Sequence, residues 1–181
     1  MITQLVISIR ALAVFTILTG FLYPLAITGL AALFFPQQSQ GSLVSARGLA
    51  VGSEWIAQRF SADRYFHARP SASEFAAVPS GASNQGFTSR KLLAAVRERQ
   101  AQLGPGAPAD LVCASGSGLD PHISPEAAEF QVARVAAARR MAPDGLRTLV
   151  ERLTEPPQFG IFGQPRVNVL RLNLALDEAA F

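Results

Sequence analysis

The stretch from Ala11 to Phe35 constrains this chain most, because its 25 residues include no charged side chain. As an α-helix it would be about 37 Å long, whereas the hydrocarbon core of a bilayer is about 30 Å thick. Every charged side chain except Arg10 follows residue 46. The chain is therefore predicted to comprise an N-terminal segment at 1–35 with one membrane-spanning helix at 11–35, a linker at 36–42, and a soluble domain at 43–181.

The charges flanking this helix indicate its orientation. Arg10 and the terminal amine adjoin one end, while the nearest positive charge beyond the other end is Arg47. Because positive charge is retained in the cytoplasm, the N-terminus is predicted inside and the C-terminal domain outside. The alternative is a cleaved secretory signal, whose apolar core would be only about 7–15 residues long.

Two features of the helix predict that it packs against another helix. Pro24 lacks an amide hydrogen and its ring presses on the carbonyl of Gly20, which predicts a kink. Thr16, Gly20, Pro24 and Thr28 are spaced by four and form a ridge of small or weakly polar groups that a second helix could approach closely. Alternatively, glycine and proline are simply frequent in membrane helices, and both interpretations stay open.

The soluble domain mixes helical and strand patterns without regular alternation, which predicts a small α+β fold. Its clearest element is a helix that begins after Ser124, a good N-cap, with Pro125 at the first helical position. The other predicted elements are a strand near 49–57, a long loop at 71–88, a helix capped by Thr88 with Leu92, Leu93, Val96 and Leu103 on one side, a strand at 111–114, a buried face of Val132, Val135 and Ala136, a helix from Pro143, and a terminal strand in which Leu170, Leu172 and Leu174 alternate with Val169, Arg171 and Asn173.

A Ser/Gly-rich loop brings Ser117, Asp120 and His122 within a few residues, which raises the hypothesis of a membrane-anchored envelope hydrolase. A nucleophile elbow, however, needs a glycine two residues to each side of the serine, whereas Ser117 has glycine immediately beside it. The structural alternative is a connecting loop in which Asp120 hydrogen-bonds the backbone. The second interpretation is favoured, and no catalytic residue is predicted.

Other kinds of chemistry have little support in the sequence. The only lysine, Lys91, follows Arg90, so no P-loop is present. The acidic residues and histidines show no metal-ligand spacing, and a net charge of +3 without a basic cluster does not favour nucleic-acid binding. No metal site and no cofactor of its own are predicted. Tyr65 and Phe66 suit either an interface or the core.

Several strings of residues together resemble one known family. They are Thr19-Gly20-Phe21-Leu22-Tyr23-Pro24, Gly41-Ser42-Leu43, Tyr65-Phe66-His67-Ala68-Arg69-Pro70-Ser71, the run from Ser115 to Pro125, and Val167-Asn168-Val169-Leu170. In this order they resemble the KdpC family, a component of the Kdp potassium-transporting P-type ATPase. The resemblance departs at 82–87, where Ala82-Ser83-Asn84-Gln85-Gly86-Phe87 stands in place of Gly-Ser-Asn-Leu-Gly-Pro.

The resemblance implies a single-pass subunit of the cytoplasmic (inner) membrane. Its partners would be a potassium-binding channel-like subunit, a P-type ATPase subunit and a small membrane peptide. It would stabilise the assembly and, as a catalytic chaperone, raise the ATP affinity of the ATPase subunit. ATP would enter only through that subunit, and potassium would be carried by the channel-like subunit. A hydrolase or a tethered binding module remains the alternative.

The strings also carry the candidate site residues. Tyr23 joins Thr16, Gly20, Pro24 and Thr28 as a candidate for membrane-helix packing. The candidates for partner contact, or for structural loops, are Tyr65, Phe66, Arg69, Pro70, Ser83, Asn84, Ser115, Ser117, Asp120 and His122.

Overall fold

The structure is a computed structural model that describes residues 1–179. The chain divides into two compact units, one ending at Leu43 and the other beginning at Val44. The first unit is helical: α1 covers Ile2–Ile17, a π-helical turn covers Leu18–Leu22, α2 covers Tyr23–Phe34, and the short α3 covers Pro36–Ser39.

The apolar helix is longer than predicted. Its parts run without a break from Ile2 to Phe34 over 33 residues, and within residues 1–179 this is the one helix long and apolar enough to cross a membrane. The helix begins at Ile2 and so extends beyond the predicted membrane-spanning part, because Arg10 can extend its aliphatic stem along the helix without ending it. The bounds of the membrane-spanning part, 11–35, stay a prediction. The predicted linker at 36–42 contains one helical turn, α3.

A π-helical turn marks the position of Pro24. The turn at Leu18–Leu22 closes with the Tyr23 amide donating to the Leu18 carbonyl, five residues back. It includes Gly20, whose carbonyl faces the ring of Pro24 in a regular α-helix. The proline is thus accommodated by one wider turn, a common response where the ordinary ladder of hydrogen bonds is interrupted.

The second unit is α+β, as predicted. Two small sheets are present in the described chain: β1, Leu43–Ala46, pairs with β2, Leu49–Ser53, and three short strands form an antiparallel sheet in the order β3-β5-β4. The other elements, in chain order, are α4 Arg90–Leu103, α5 Ala109–Val112, β3 His122–Ile123, α6 Pro125–Arg139, α7 Pro143–Leu153, β4 Thr154–Glu155, β5 Arg166–Asn168 and α8 Val169–Glu178.

The core lies where α6, α7 and α8 meet the three-stranded sheet. Its side chains come from α6 (Ala127, Ala128, Val132, Val135, Ala136), α7 (Leu146, Leu149, Val150), α8 (Val169, Leu172, Leu176), the sheet (Ile123, Val167) and the segment before the long loop (Phe66). The central strand β5 is fixed in register by Ile123 opposite Val167 on one side and Thr154 opposite Val167 on the other.

Local signals predicted the middle of the domain correctly. The Ser124 hydroxyl accepts a hydrogen bond from the Ala127 amide at 3.1 Å, and Pro125 opens α6. Pro143 opens α7, and Val132, Val135 and Ala136 are buried. The long loop at 71–88 contains no helix or strand.

The predicted terminal strand was wrong. Strand β5 ends at Asn168, whose side chain accepts a hydrogen bond from the Arg171 amide at 3.1 Å and caps helix α8. The buried residues Val169, Leu172 and Leu176 are three and four residues apart, as on one face of a helix. The leucines that alternate in the sequence are therefore compatible with a helix as well as with a strand.

Four smaller predictions also needed correction. Residues 111–114 are not a strand, because Leu111 and Val112 belong to the helical turn α5. Helix α4 is capped by Ser89 and not by Thr88. Its predicted inner side is incompletely covered, since Leu93 and Leu103 remain 45% and 39% exposed. Strand β2 ends at Ser53, short of the predicted Ala57.

Candidate interaction site

Two buried side-chain amides hold the backbone around Phe66. The Phe66 amide donates to Asn173 Oδ1 at 2.9 Å, and the Asn173 Nδ2 donates back to the Phe66 carbonyl at 2.9 Å. Next to it, the His67 amide donates to Gln131 Oε1 at 2.7 Å and the Gln131 Nε2 donates to the His67 carbonyl at 3.1 Å. The two side-chain amides therefore supply the hydrogen bonds that a neighbouring strand would give to the N–H and C=O groups of this segment.

Phe66 and Tyr65 belong to the framework of the domain. The Phe66 side chain is completely buried in the core. The Tyr65 hydroxyl donates to Asp177 at 3.0 Å, and the Arg139 guanidinium, which bonds the same carboxylate at 2.6 Å, lies 5.0 Å from the centre of the Tyr65 ring. The structure thus favours the core interpretation for Phe66 and ties Tyr65 to the ends of α6 and α8.

Arg134 places a positive charge beside His67 at the border of this segment. Arg134 donates to the Asp63 and Tyr65 carbonyls at 2.7 and 3.0 Å. Burial, and then the charge of Arg134, hold the pKa of His67 below its usual value. Burial also lowers the pKa of Arg134 itself. The imidazole is therefore kept neutral at physiological pH, which suits a structural side chain.

The two loops that the sequence singled out meet each other. Arg69 Nη1 lies 3.1 Å from Asp120 Oδ2, and the Ser115 amide donates to the Pro70 carbonyl at 2.9 Å. We call this meeting of residues 69–73 with residues 115–120 the loop junction. Four of the predicted site residues, from two distant parts of the chain, are thereby brought together.

Serine hydroxyls and a glycine shape the loop junction. The buried Ser115 Oγ accepts from the Gly118 and Asp120 amides at 3.2 and 3.4 Å, and Ser117 Oγ accepts from the Leu119 amide at 3.1 Å. Gly118 has φ of +73°, and a Cβ there would lie 2.7 Å from Ser73 Oγ and 2.8 Å from the Gly81 carbonyl oxygen. Only glycine fits this point of contact with the long loop.

Ser117, Asp120 and His122 do not form the arrangement that a hydrolase needs. Ser117 Oγ is paired with Ser115 Oγ and with a backbone amide, while His122 Nδ1 lies 3.6 Å from Asp120 Oδ1 and its ring packs edge-on against Trp55. Asp120 Oδ1 also accepts the His122 amide at 3.0 Å. Serine and histidine thus bond separate partners, whereas nucleophilic catalysis requires the base to bond the nucleophile.

The charge of Asp120 is favoured by its neighbours. Burial alone would raise the pKa of this carboxyl, but hydrogen bonds from His122 and the charge and hydrogen bond of Arg69 outweigh it, so the pKa lies below its usual value of 3.8. Asp120 therefore joins the two loops in its ionised form.

This direction of shift predicts a pH-dependent effect of Asp120→Asn on stability. A carboxyl with a lowered pKa in the folded state stabilises the fold above its usual pKa and loses that effect as the pH falls through the folded value. We expect Asp120→Asn to be less stable than the wild type at pH 7, and the difference to shrink below about pH 4. Urea unfolding at several pH values measures it, with the exposed Asp63→Asn as control. A difference that does not change with pH would contradict the prediction.

The remaining candidates lie apart from these hydrogen bonds. Ser83 and Asn84 are exposed in the long loop, and Asn84 adopts φ of +52°. Thr16, Gly20, Tyr23, Pro24 and Thr28 are all exposed on the apolar helix. A Cβ on Gly20 would meet only the Thr16 methyl group, at 4.0 Å, so nothing within the helix requires glycine there. The packing role of these residues stays a prediction.

Gln131, Arg134 and Asn173 were missed by the sequence reasoning. Gln131 and Asn173 are only 4% and 2% exposed, although they lie among apolar residues of α6 and α8. A polar residue in an apolar stripe is the signal that could have identified both, because a buried amide needs partners. Metal ligands do not converge anywhere in the described chain, residues 1–179.

Comparison with known proteins identifies relatives over nearly the whole chain. Residues 5–178 match the family described as KdpC, K+-transporting ATPase, c chain. A "Potassium-transporting ATPase KdpC subunit" of Cereibacter sphaeroides (strain ATCC 17029) is 50% identical over 99% of both chains. Subunits of the same description from Methylococcus capsulatus and Rhodospirillum rubrum are 51% and 52% identical, covering 94% and 92% of this chain and 95% and 91% of their own.

These matches include both the apolar helix and the folded unit, so they do not depend on one shared module. At about half identity over nearly equal lengths, the similarity extends over whole chains and is not limited to a local motif. The chain therefore belongs to the KdpC family of potassium-transporting ATPase subunits.

Proposed function

We propose that this chain is a non-catalytic accessory subunit of an ATP-driven, high-affinity potassium uptake complex. The family match over residues 5–178 carries the proposal, because it includes the helix and the domain together. The hydrogen bonds of Ser117, Asp120 and His122 support a structural role for the loop junction. In this proposal the junction shapes a surface for partners, and the catalysis belongs to another subunit.

The proposed location is the cytoplasmic (inner) membrane. The helix would cross it once, with the N-terminus inside and the C-terminal domain outside. The positions of Arg10 and Arg47 support this orientation, because Arg10 directly precedes the uncharged stretch 11–35, whereas Arg47 lies well beyond its other end.

The proposed partners are a potassium-binding channel-like subunit, a P-type ATPase subunit and a small membrane peptide. Potassium would be carried by the channel-like subunit, and ATP would bind the ATPase subunit. As a catalytic chaperone, the chain would raise the ATP affinity of the ATPase. Because a domain outside the membrane cannot meet cytoplasmic ATP, the effect would be a coupling free energy transmitted through membrane helices.

The helix face carrying Thr16, Gly20, Pro24 and Thr28 is the proposed route of that coupling, and Tyr23, one residue before Pro24, lies beside this face. In an uninterrupted α-helix, three steps of four residues would turn Thr28 about 120° away from Thr16. The π turn accommodates one extra residue, so the side chains of α2 are rotated back about the helix axis by roughly 100° relative to those of α1. Thr16 and Thr28 then lie on one face, where small side chains allow close approach of another helix.

Co-purification tests the proposal directly. With an affinity tag on this chain, extraction of membranes in mild detergent is expected to recover an ATPase subunit and a larger membrane subunit in fixed stoichiometry. Recovery of the chain alone, from cells that express the ATPase, would contradict the proposed assembly.

Enlarging Gly20 is expected to weaken the complex. We expect Gly20→Ile to lower the recovery of the partners several-fold, because the added side chain separates the helix from its neighbour. Gly29→Ile is the matched control, because a Cβ on Gly29 meets nothing within 4 Å and Gly29 lies one residue, or roughly 100°, beyond Thr28. If both variants recover the partners as the wild type does, the helix is only a tether.

A further inference from the structure

A protruding apolar turn lies between β4 and β5. We call residues 156–165 the apolar tip. Phe159, Ile161 and Phe162 are 84%, 77% and 65% exposed there, although each is large and apolar. The segment contains no charged side chain: its other residues are three prolines, two glutamines and two glycines. Three such side chains on one short turn form an exposed apolar patch and are unlike scattered surface residues.

The apolar tip has a defined shape. The Gln158 amide donates to the Phe162 carbonyl at 2.8 Å, and the Phe162 amide donates back to the Gln158 carbonyl at 2.9 Å. Phe159 and Gly160 adopt positive φ values of 55° and 73°, which closes the turn. At the base, Arg166 Nε lies 3.0 Å from Glu155 Oε2. The exposed side chains are therefore presented by a hairpin that is closed by two backbone hydrogen bonds between Gln158 and Phe162.

This combination suits a lipid surface better than a protein surface. Protein interfaces surround an apolar centre with a polar rim that forms hydrogen bonds across the contact. Among its side chains, the apolar tip offers only the two glutamine amides for such bonds. A bilayer requires no complementary charges, and it accepts aromatic and aliphatic side chains at the boundary between head groups and acyl chains.

A bilayer is also within reach of the domain. Only residues 35–42 separate the end of α2 from the start of β1. Even fully extended, eight residues span roughly 30 Å, which is comparable to the diameter of a small domain. The exposed apolar surface is thus held at high effective concentration near lipid.

We propose that the apolar tip enters the interfacial layer of the bilayer in which the chain is anchored, as a second membrane contact. Phe159 and Ile161 insert their side chains among the upper acyl chains, and the Glu155–Arg166 pair stays at the water side. This contact limits the rotation of the domain about its linker. The proposal rests on the membrane anchoring proposed above, but it adds a lipid-binding site in the folded unit.

Tryptophan fluorescence in lipid vesicles tests the proposal. Trp55 is the single tryptophan, so Trp55→Phe provides a silent background. Phe159→Trp then places a reporter on the apolar tip, and Phe87→Trp, at a side chain 88% exposed in the long loop, is the matched control. The full chain of each variant is reconstituted in phosphatidylcholine vesicles, with or without bromine on the acyl chains. Resistance to alkaline extraction shows separately that each chain is anchored.

We expect Phe159→Trp to emit at shorter wavelength and to lose most of its emission in brominated lipid, while Phe87→Trp keeps its emission. Equal quenching of both reporters, or no quenching of the anchored Phe159→Trp chain, overturns the lipid contact without affecting the anchoring. The measurement is then repeated on the assembled complex. Quenching that persists supports the proposal, whereas emission that stays at short wavelength but is no longer quenched assigns the apolar tip to a protein partner and overturns it.

Discussion

Replacing Asn173 with leucine is expected to destabilise the domain by roughly 3 kcal/mol or more. The two side chains have the same number of heavy atoms and the same branching, so the change mainly removes hydrogen bonds. The Phe66 amide and carbonyl would both lose their partner in the core, and each unsatisfied buried group costs about 1–3 kcal/mol. The free energy of unfolding of the full chain in detergent, followed by urea titration and circular dichroism, measures the effect.

Two further variants make the Asn173 test specific. Asn173→Asp keeps an acceptor for the Phe66 amide but loses the donor to its carbonyl, so it also destabilises the domain. Gln100→Leu replaces an exposed amide on α4 and is expected to change stability by less than about 0.5 kcal/mol. If Asn173→Leu were no more destabilising than Gln100→Leu, the amides would not hold the segment in place.

The second large loss of stability is expected when one methyl group is added at Gly118. Gly118→Ala is expected to cost about 3 kcal/mol, because alanine at positive φ is strained and its Cβ would overlap Ser73 Oγ and the Gly81 carbonyl oxygen. The same urea titration measures it. Gly116→Ala is the matched control two residues away, where a Cβ would meet nothing within 4 Å, and it should be close to neutral.

A suppressor variant separates the two causes at Gly118. Ser73→Ala removes the hydroxyl but leaves the Gly81 carbonyl in place, so it should restore only part of the stability lost by Gly118→Ala. Full restoration would mean that the backbone of the long loop moves freely. Equal stability of Gly118→Ala and Gly116→Ala would show that the long loop does not pack against the junction.

Local chemistry explains what could be predicted from the sequence. The serine cap and proline that open α6 act within four residues, and the uncharged length of the apolar helix is visible directly. The α+β class follows from such local elements. The same reasoning failed at α8, because Leu170, Leu172 and Leu174 fit a strand, while the Asn168 cap and the packing of Leu176 select a helix. Local pattern alone did not distinguish these two outcomes.

The site shows the same division between local and distant interactions. The loops at 65–71 and 115–122 were identified from their residues, but their pairing through Arg69 and Asp120 joins positions 51 residues apart. The amide bonds to Phe66 span 107 residues. No local pattern reveals such distant pairs. Helix α4 shows the opposite failure: its sequence predicts a buried apolar side, but Leu93 on that side is exposed because little of the described domain packs against it.

The π turn at Leu18–Leu22 gives the helix a property beyond its span. Because the turn accommodates one extra residue, it rotates α2 relative to α1 so that Thr16 and Thr28 lie on the same side of the helix. A regular α-helix of the same residues would also be long enough for the membrane, yet it would offer Thr16 and Thr28 to two different neighbours. In the proposed complex, the winding of this single turn therefore decides whether Thr16 and Thr28 face one neighbouring helix or two.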